Sequence, residues 1–138
     1  MGAHRTPPKP PYFDTVPEGT CRWCNQEVGL TPKGKQSKSR WHPACLAEYK
    51  LLFWPATTRR AVYKRDRAKC NQCGAKCDRY QNPWHMDHIK PLVEAQGNLD
   101  YWRLPNLQTL CEPCHTAKTS HEATERAAKR RAAKDKNA

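Results

Sequence analysis

The sequence has no long hydrophobic run. No stretch of its 138 residues is apolar enough to cross a bilayer, and the N-terminal segment holds no hydrophobic core of signal-peptide length. A membrane-spanning or exported chain is therefore not expected, and a cytoplasmic, intracellular one is. Apolar residues are scarce throughout, at 37% with a mean hydropathy of −1.03. So thin a supply argues against a large self-sufficient core, and small domains of that kind are held together by metals or disulfides. Acidic residues are few as well, 13 against 25 Lys and Arg, which leaves a net charge of +12. That excess implies a polyanionic partner, of which nucleic acid is the commonest.

What the chain has instead is eight Cys and six His. Without a signal segment, CxxC pairs read as reduced zinc ligands rather than disulfides. Residues 1–20 carry Pro7, Pro8, Pro10, Pro11 and Pro17 and are expected to form a flexible arm. Cys21, Cys24, His42 and Cys45 have the spacing of a tetrahedral zinc site with three thiolates and one imidazole. Residues 21–55 read as a knuckle with a short helix over Leu46–Trp54 that Pro55 stops. The loop TPKGKQSKSR within it holds Lys33, Lys35, Lys38 and Arg40 and no acid; it is either a phosphate contact or a solvated hairpin tip. A second helix, N-capped by Thr57 or Thr58, runs to about Ala68 and presents Arg59, Arg60, Lys64 and Arg65 as candidate nucleic-acid contacts. Cys70 and Cys73 follow, with Gly74 suited to a tight turn, and Cys77 has no evident pair.

The stretch from Trp84 to Thr119 concentrates the chemistry. Trp84–Ile89 reads as a strand containing Asp87 and His88, which alternation would point to opposite faces unless the strand ends there. Residues 92–105 read as a loop, Leu107–Leu110 as a second strand, and Pro113 as the first turn of a helix carrying Cys114 and His115. That helix could continue into a basic tail, residues 121–138, with a fraying end. The sulfurs of Cys70, Cys73, Cys111 and Cys114 can close one structural zinc site.

The succession CxxC, DHIxP, NLQTLCxxCHxxKT, from about Arg59 to Thr119, resembles the HNH endonuclease family. It joins Cys70, Cys73, Asp87, His88, Asn106, Cys111, Cys114 and His115 in one order, whereas each short piece alone would be weak. The resemblance implies a small metal-stabilised α+β fold with a ββα-metal, treble-clef-like nuclease core over residues 56–120; the N-terminal knuckle at 21–55 precedes that core and is not part of it. The resemblance also implies a structural zinc ion at Cys70, Cys73, Cys111 and Cys114, which with that of the knuckle makes two, and one catalytic divalent ion, magnesium, manganese, nickel or zinc, bound by Asp87 and His115. It assigns His88 as general base, and an imidazole with an ordinary pKa near 6.5 suits that task near neutral pH. Asn106 would fix the loop beside His88 or add a metal contact, and Lys118 would touch nucleic acid. The implied reaction is hydrolysis of DNA phosphodiester bonds, most simply in duplex DNA, leaving 5′-phosphate and 3′-hydroxyl ends. A protein partner in a phage packaging or restriction system fits such relatives. A zinc-knuckle module that binds nucleic acid without cutting it is the competing reading; the set Asp87, His88, Asn106 and His115 separates the two, since a pure binder has no need of it.

Overall fold

Prolines and the two Cys-rich segments set the layout of the chain, whose computed structural model describes residues 6–137. The expected arm and tail therefore extend past the described residues at Met1–Arg5 and Ala138. The order of elements is α1 (Pro43–Phe53), α2 (Pro55–Arg65), β1 (Trp84–His88), three short 3-10 turns over 92–106, β2 (Leu107–Cys111) and α3 (Glu112–Lys136). Pro43 opens α1, where its missing N–H costs nothing. Trp54 leaves the helix in an extended conformation, as the residue before a proline must, and Pro55 opens α2. The α2 start is thus earlier than a Thr57 or Thr58 cap would give. Thr58 is buried inside the helix instead, its hydroxyl donating to the carbonyls of Leu51 and Trp54 at 2.6 and 3.0 Å. The helix stops at Arg65, because Arg67 and Ala68 adopt left-handed backbone (φ 56° and 60°) that turns the chain into Cys70.

The structure divides into two units that interleave along the chain. The first takes the chain up to Ala61 together with His88–Leu107, and the second takes Val62–Asp87 with Gln108–Ala138. In the first unit, residues 6–20 are packed rather than loose, which corrects the expectation of a flexible arm. Phe13 and Val16 are buried, Phe13 stacks on Tyr49 at 5.5 Å, and the Tyr12 hydroxyl donates to the Trp23 carbonyl at 2.7 Å. The prolines of this segment limit backbone freedom, so little entropy opposes its docking, while burying Phe13 alone contributes roughly 1.5–3 kcal/mol. Tyr49 also meets Phe53 at 4.6 Å and Trp41 at 4.9 Å, an aromatic cluster over the first knuckle. A second cluster gathers Leu52, Ala95 and Trp102. The segment 92–106, read as a loop, is wound into 3-10 turns whose side chains supply that packing.

In the second unit, Cys70, Cys77, Leu110 and Cys111 form the buried centre, with Tyr63 stacked on Trp84 at 5.0 Å. β1 and β2 pair as a two-stranded antiparallel sheet, with Glu112 N–H donating to Pro83 O at its second-unit end. All five residues of β2 are buried, polar Gln108 and Thr109 included, so this strand shows no alternation of the kind a half-exposed strand would. α3 begins at Glu112, an acid at the positive end of the helix dipole, and ends with Lys134 and Lys136 at the negative end. It runs 25 residues, about 37 Å, and takes in the tail as far as Lys136.

Asp66 ties the end of α2 to β2. Its Oδ2 accepts the Thr109 N–H at 2.9 Å and its Oδ1 accepts Arg65 Nε at 3.0 Å. Burial opposes ionisation of this carboxyl, but Arg65 and the Thr109 N–H outweigh it and hold it below its ordinary 3.8. A depressed acid stabilises the fold in full above its unfolded value and loses that contribution as pH falls through the folded one. Asp66→Asn is therefore expected to lower stability by about 1–2 kcal/mol at pH 7 in denaturant titrations. The deficit should stay constant down to about pH 4, where the carboxylate of the unfolded chain begins to take up a proton, and shrink as pH falls further through the lower folded value.

Candidate active site

Two clusters have the donor sets of structural metal sites. Cys21, Cys24, His42 and Cys45 form the first and Cys70, Cys73, Cys111 and Cys114 the second; in each, four ligand atoms lie within 4.8 Å of one another. In the first, His42 Nδ1 sits 3.4 Å from Cys24 Sγ and 3.9 Å from Cys45 Sγ. Its other ring nitrogen, Nε2, donates to the Glu27 carbonyl at 2.9 Å, which leaves the Nδ1 lone pair for an ion. In the second, Cys73 Sγ and Cys111 Sγ are 3.7 Å apart. A zinc tetrahedron with bonds of about 2.3 Å sets neighbouring sulfurs about 3.8 Å apart, so the spacing fits.

Electrostatics within the clusters agrees. Burial opposes ionisation of Cys70, yet backbone groups of Cys111, Cys73 and Gln72 bring its thiol down to about 6. Its neighbour Cys114 is pushed up to about 12 by its hydrogen bond with the Cys111 sulfur and by burial. In the first cluster Cys21 falls to about 6, backbone groups of His42, Cys24 and Trp23 overcoming burial, while burial and the Cys21 sulfur raise Cys45 to about 12. Four sulfurs or three sulfurs and an imidazole at such distances cannot all be deprotonated ligands unless a cation joins them. Cys77 is fully buried and stands outside the cluster; its Sγ lies 3.6 Å from the Ala75 carbonyl, and burial raises its thiol. His115 is not a member of either cluster, so the four-cysteine set is complete without it.

His115 instead faces Asp87. Its Nε2 lies 3.9 Å from Asp87 Oδ1, and its ring stacks on His85 at 4.4 Å, nearly parallel. β1 explains the company: His85 and Asp87 are two residues apart and so share one strand face. Asp87 is buried, and its Oδ2 accepts from Gln108 Nε2 at 2.9 Å and pairs with Lys118 Nζ at 3.2 Å. Lys118 also pairs with Glu122 one turn along α3. Burial disfavours its charge, but Glu122 and Asp87 more than compensate and raise its pKa. Lys118, read from sequence as a nucleic-acid contact, thus sits in a carboxylate-bound position. Two ligands of one ion with bonds of about 2.1 Å lie about 3.0–4.2 Å apart as their angle opens from 90° to 180°. The 3.9 Å between Asp87 Oδ1 and His115 Nε2 lies inside that range, and a carboxylate with an imidazole is a donor set divalent ions accept.

His88 ends β1, and the chain bends at Ile89 and Lys90 directly after it. Asn106 holds that bend. Its Oδ1 accepts the Lys90 N–H at 2.8 Å, its Nδ2 donates to the carbonyls of Lys90 and Tyr101 at 3.1 and 2.8 Å, and its own carbonyl accepts the Ile89 N–H. The side chain therefore clamps the backbone that follows His88. Arg59, Arg60, Lys64 and Arg65 are all exposed on α2, and Arg65 pairs with Asp66. Lys33, Lys35, Lys38 and Arg40 are exposed on a hairpin that turns at Gly34 (φ 75°). Sequence reasoning passed over Gln108 and Asn71, whose amide nitrogen donates to Gln108 Oε1 at 2.9 Å. The only available signal was a polar residue in a strand otherwise rich in Leu, Thr and Cys.

Comparison with known proteins bears on the same segment. The family model described as HNH endonuclease matches residues 70–121, a span that includes all eight positions of the motif. A probable HNH endonuclease of Lactococcus phage SK1 is 40% identical over 77 residues, which cover 52% of this chain and 74% of the phage protein. The "DNA annealing helicase and endonuclease ZRANB3" of mouse and of human are each 46% identical over 48 residues, 35% of this chain. This chain spans only 4% of the length of those two proteins. No solved structure matches it at a comparable level.

Proposed function

From the premise that this chain belongs to the HNH endonuclease family, we propose that it is a metal-dependent endonuclease acting on DNA. The observation that carries the reading is the meeting of Asp87 Oδ1 and His115 Nε2 at 3.9 Å beside the cation of Lys118. Asp87 and His115 would hold one divalent ion, which when bound supplies positive charge against the phosphate and the leaving oxygen. His88, covalently next to Asp87, takes the proton of the attacking water. Asn106 fixes the backbone after His88, so the imidazole is presented from a rigid bend rather than a mobile loop. The N-terminus of α3, on which His115 sits, favours a phosphate through its N–H groups and dipole. The exposed cations of α2 and of the 31–40 hairpin supply sequence-independent attraction to the DNA backbone. Zinc in the two Cys clusters is structural, and organises residues 21–55 and the nuclease core at 56–120. The long α3 carries the basic tail, from residue 121 to 136, along the DNA. Among the described residues no helix is long and apolar enough to cross a membrane. A phage packaging or restriction complex is the setting in which a protein partner would be found.

The test is a supercoiled-plasmid assay with magnesium, manganese, nickel or EDTA. Relaxed or linear product should form only with added divalent ion, with 5′-phosphate ends. A protein that retards the plasmid in a gel yet leaves it uncut with every metal would replace this reading with that of a zinc-knuckle binding module.

A further inference from the structure

We propose that Gln108, held in turn by Asn71 of the Cys70–Cys73 knuckle, is a positioning residue that sets the Asp87 carboxylate for its divalent ion. The inference rests on the metal-binding role proposed for Asp87 and His115. A terminal carboxylate torsion is broad, so Asp87 has no preferred rotation of its own. Gln108 Nε2 removes that freedom by donating to Oδ2 at 2.9 Å, which leaves Oδ1 as the oxygen facing His115 Nε2.

The direction of the Gln108 amide matters, because its carbonyl end would repel the carboxylate. Asn71 decides it. Asn71 Nδ2 donates to Gln108 Oε1 at 2.9 Å, so Nε2 is the end left for Asp87. Asn71 is itself fixed twice over: it lies between two cysteines of one cluster, and its backbone N–H donates to the Thr109 carbonyl at 2.8 Å. A chain of two hydrogen bonds therefore runs from the knuckle to a carboxylate oxygen. Lys118 also touches Oδ2, at 3.2 Å, but it cannot substitute for Gln108. Its charge has the sign of the incoming ion and is opposed by it, and its long flexible stem is shared with Glu122. The Gln108 amide is neutral and buried, so the ion leaves its hydrogen bond in place.

Hydrogen-bond partners of metal ligands typically contribute about 10–100-fold to metal affinity. The test uses the full zinc-loaded chain without DNA, with Mn2+ titrated and the free ion followed by its EPR signal. Wild type should bind one Mn2+, and Asp87→Ala should lose it. Gln108→Met keeps the length and volume of the side chain but removes the donor; it should weaken Mn2+ about tenfold or more, with zinc content and Tm close to wild type. Asn71→Asp exchanges the knuckle donor for an acceptor and turns the Gln108 amide round, so it should weaken Mn2+ by at least as much. Because Asn71 is exposed, this variant carries the test if Gln108→Met loses zinc. Wild-type Mn2+ affinity in a folded Gln108→Met, or in Asn71→Asp, overturns the proposal while leaving the metal site intact. Mn2+ binding that survives Asp87→Ala overturns the metal site itself, and this inference with it.

Discussion

His88→Ala is expected to yield a folded protein with its full zinc content that nicks supercoiled plasmid at least about 100-fold more slowly than wild type. A positioned general base accounts for about 10²–10⁴ in rate, and no other imidazole stands in its place on β1, because His85 lies on the opposite strand face with Asp87. The side chain is only partly buried, so its truncation costs less than that of a core residue. The bend after it is held by Asn106 through backbone groups of Ile89 and Lys90, which the substitution leaves in place. DNA binding should persist, since the exposed cations of α2 and the 31–40 hairpin are untouched. Gel retardation with wild-type affinity and loss of nicking together would place His88 in the chemistry. Nicking within about threefold of wild type, in protein of verified zinc content, would remove it.

Stripping zinc from the Cys70, Cys73, Cys111 and Cys114 cluster is expected to unfold the second unit rather than loosen it. The four sulfurs join a knuckle near residue 70 to the end of β2 and the first turn of α3, segments about 40 residues apart. Structural zinc contributes about 10–16 kcal/mol of apparent binding energy, against a total stability of about 5–15 kcal/mol for an ordinary domain. Apolar burial here is slight: the centre of the unit is Cys70, Cys77, Leu110 and Cys111, and Cys70 and Cys111 are themselves cluster ligands. Without the ion, the same thiols conflict, Cys70 favouring ionisation and Cys114 resisting it. Far-UV circular dichroism should lose most of its helical signal on chelation, and Cys111→Ser should give the same result without chelator. An unchanged spectrum after complete zinc removal, verified by metal analysis, would show that packing alone holds the unit.

Much of the site could be read from the chain because its chemistry is written in short-range spacing. CxxC pairs and Pro113 specify clustered thiols and a helix start through residues only a few positions apart. The order of elements from α1 to α3 followed from prolines and periodicity in the same way. The errors arose where packing overrode local pattern. Five prolines among the first twenty residues suggested an arm, but Phe13 and Val16 found apolar partners and the segment docked. Thr57 and Thr58 looked like caps, but Pro55 had already started the helix and Thr58 satisfied its hydroxyl on carbonyls of the preceding turns.

The sequence by itself determined the donor atoms: seven thiols and one imidazole that gather into two clusters able to hold a metal ion, and an Asp, two His and an Asn in the order of the family. Those identities are covalent facts and need no fold to be recognised. The tertiary structure alone decided how they are aimed. Asp87 meets Gln108 across 21 residues of chain, and Gln108 meets Asn71 across 37. It also decided that Lys118 turns to Asp87 and that His85 stacks on His115. Such contacts depend on which strand faces are buried and on the pairing of β2 with β1, and neither property is carried by any single residue or its near neighbours.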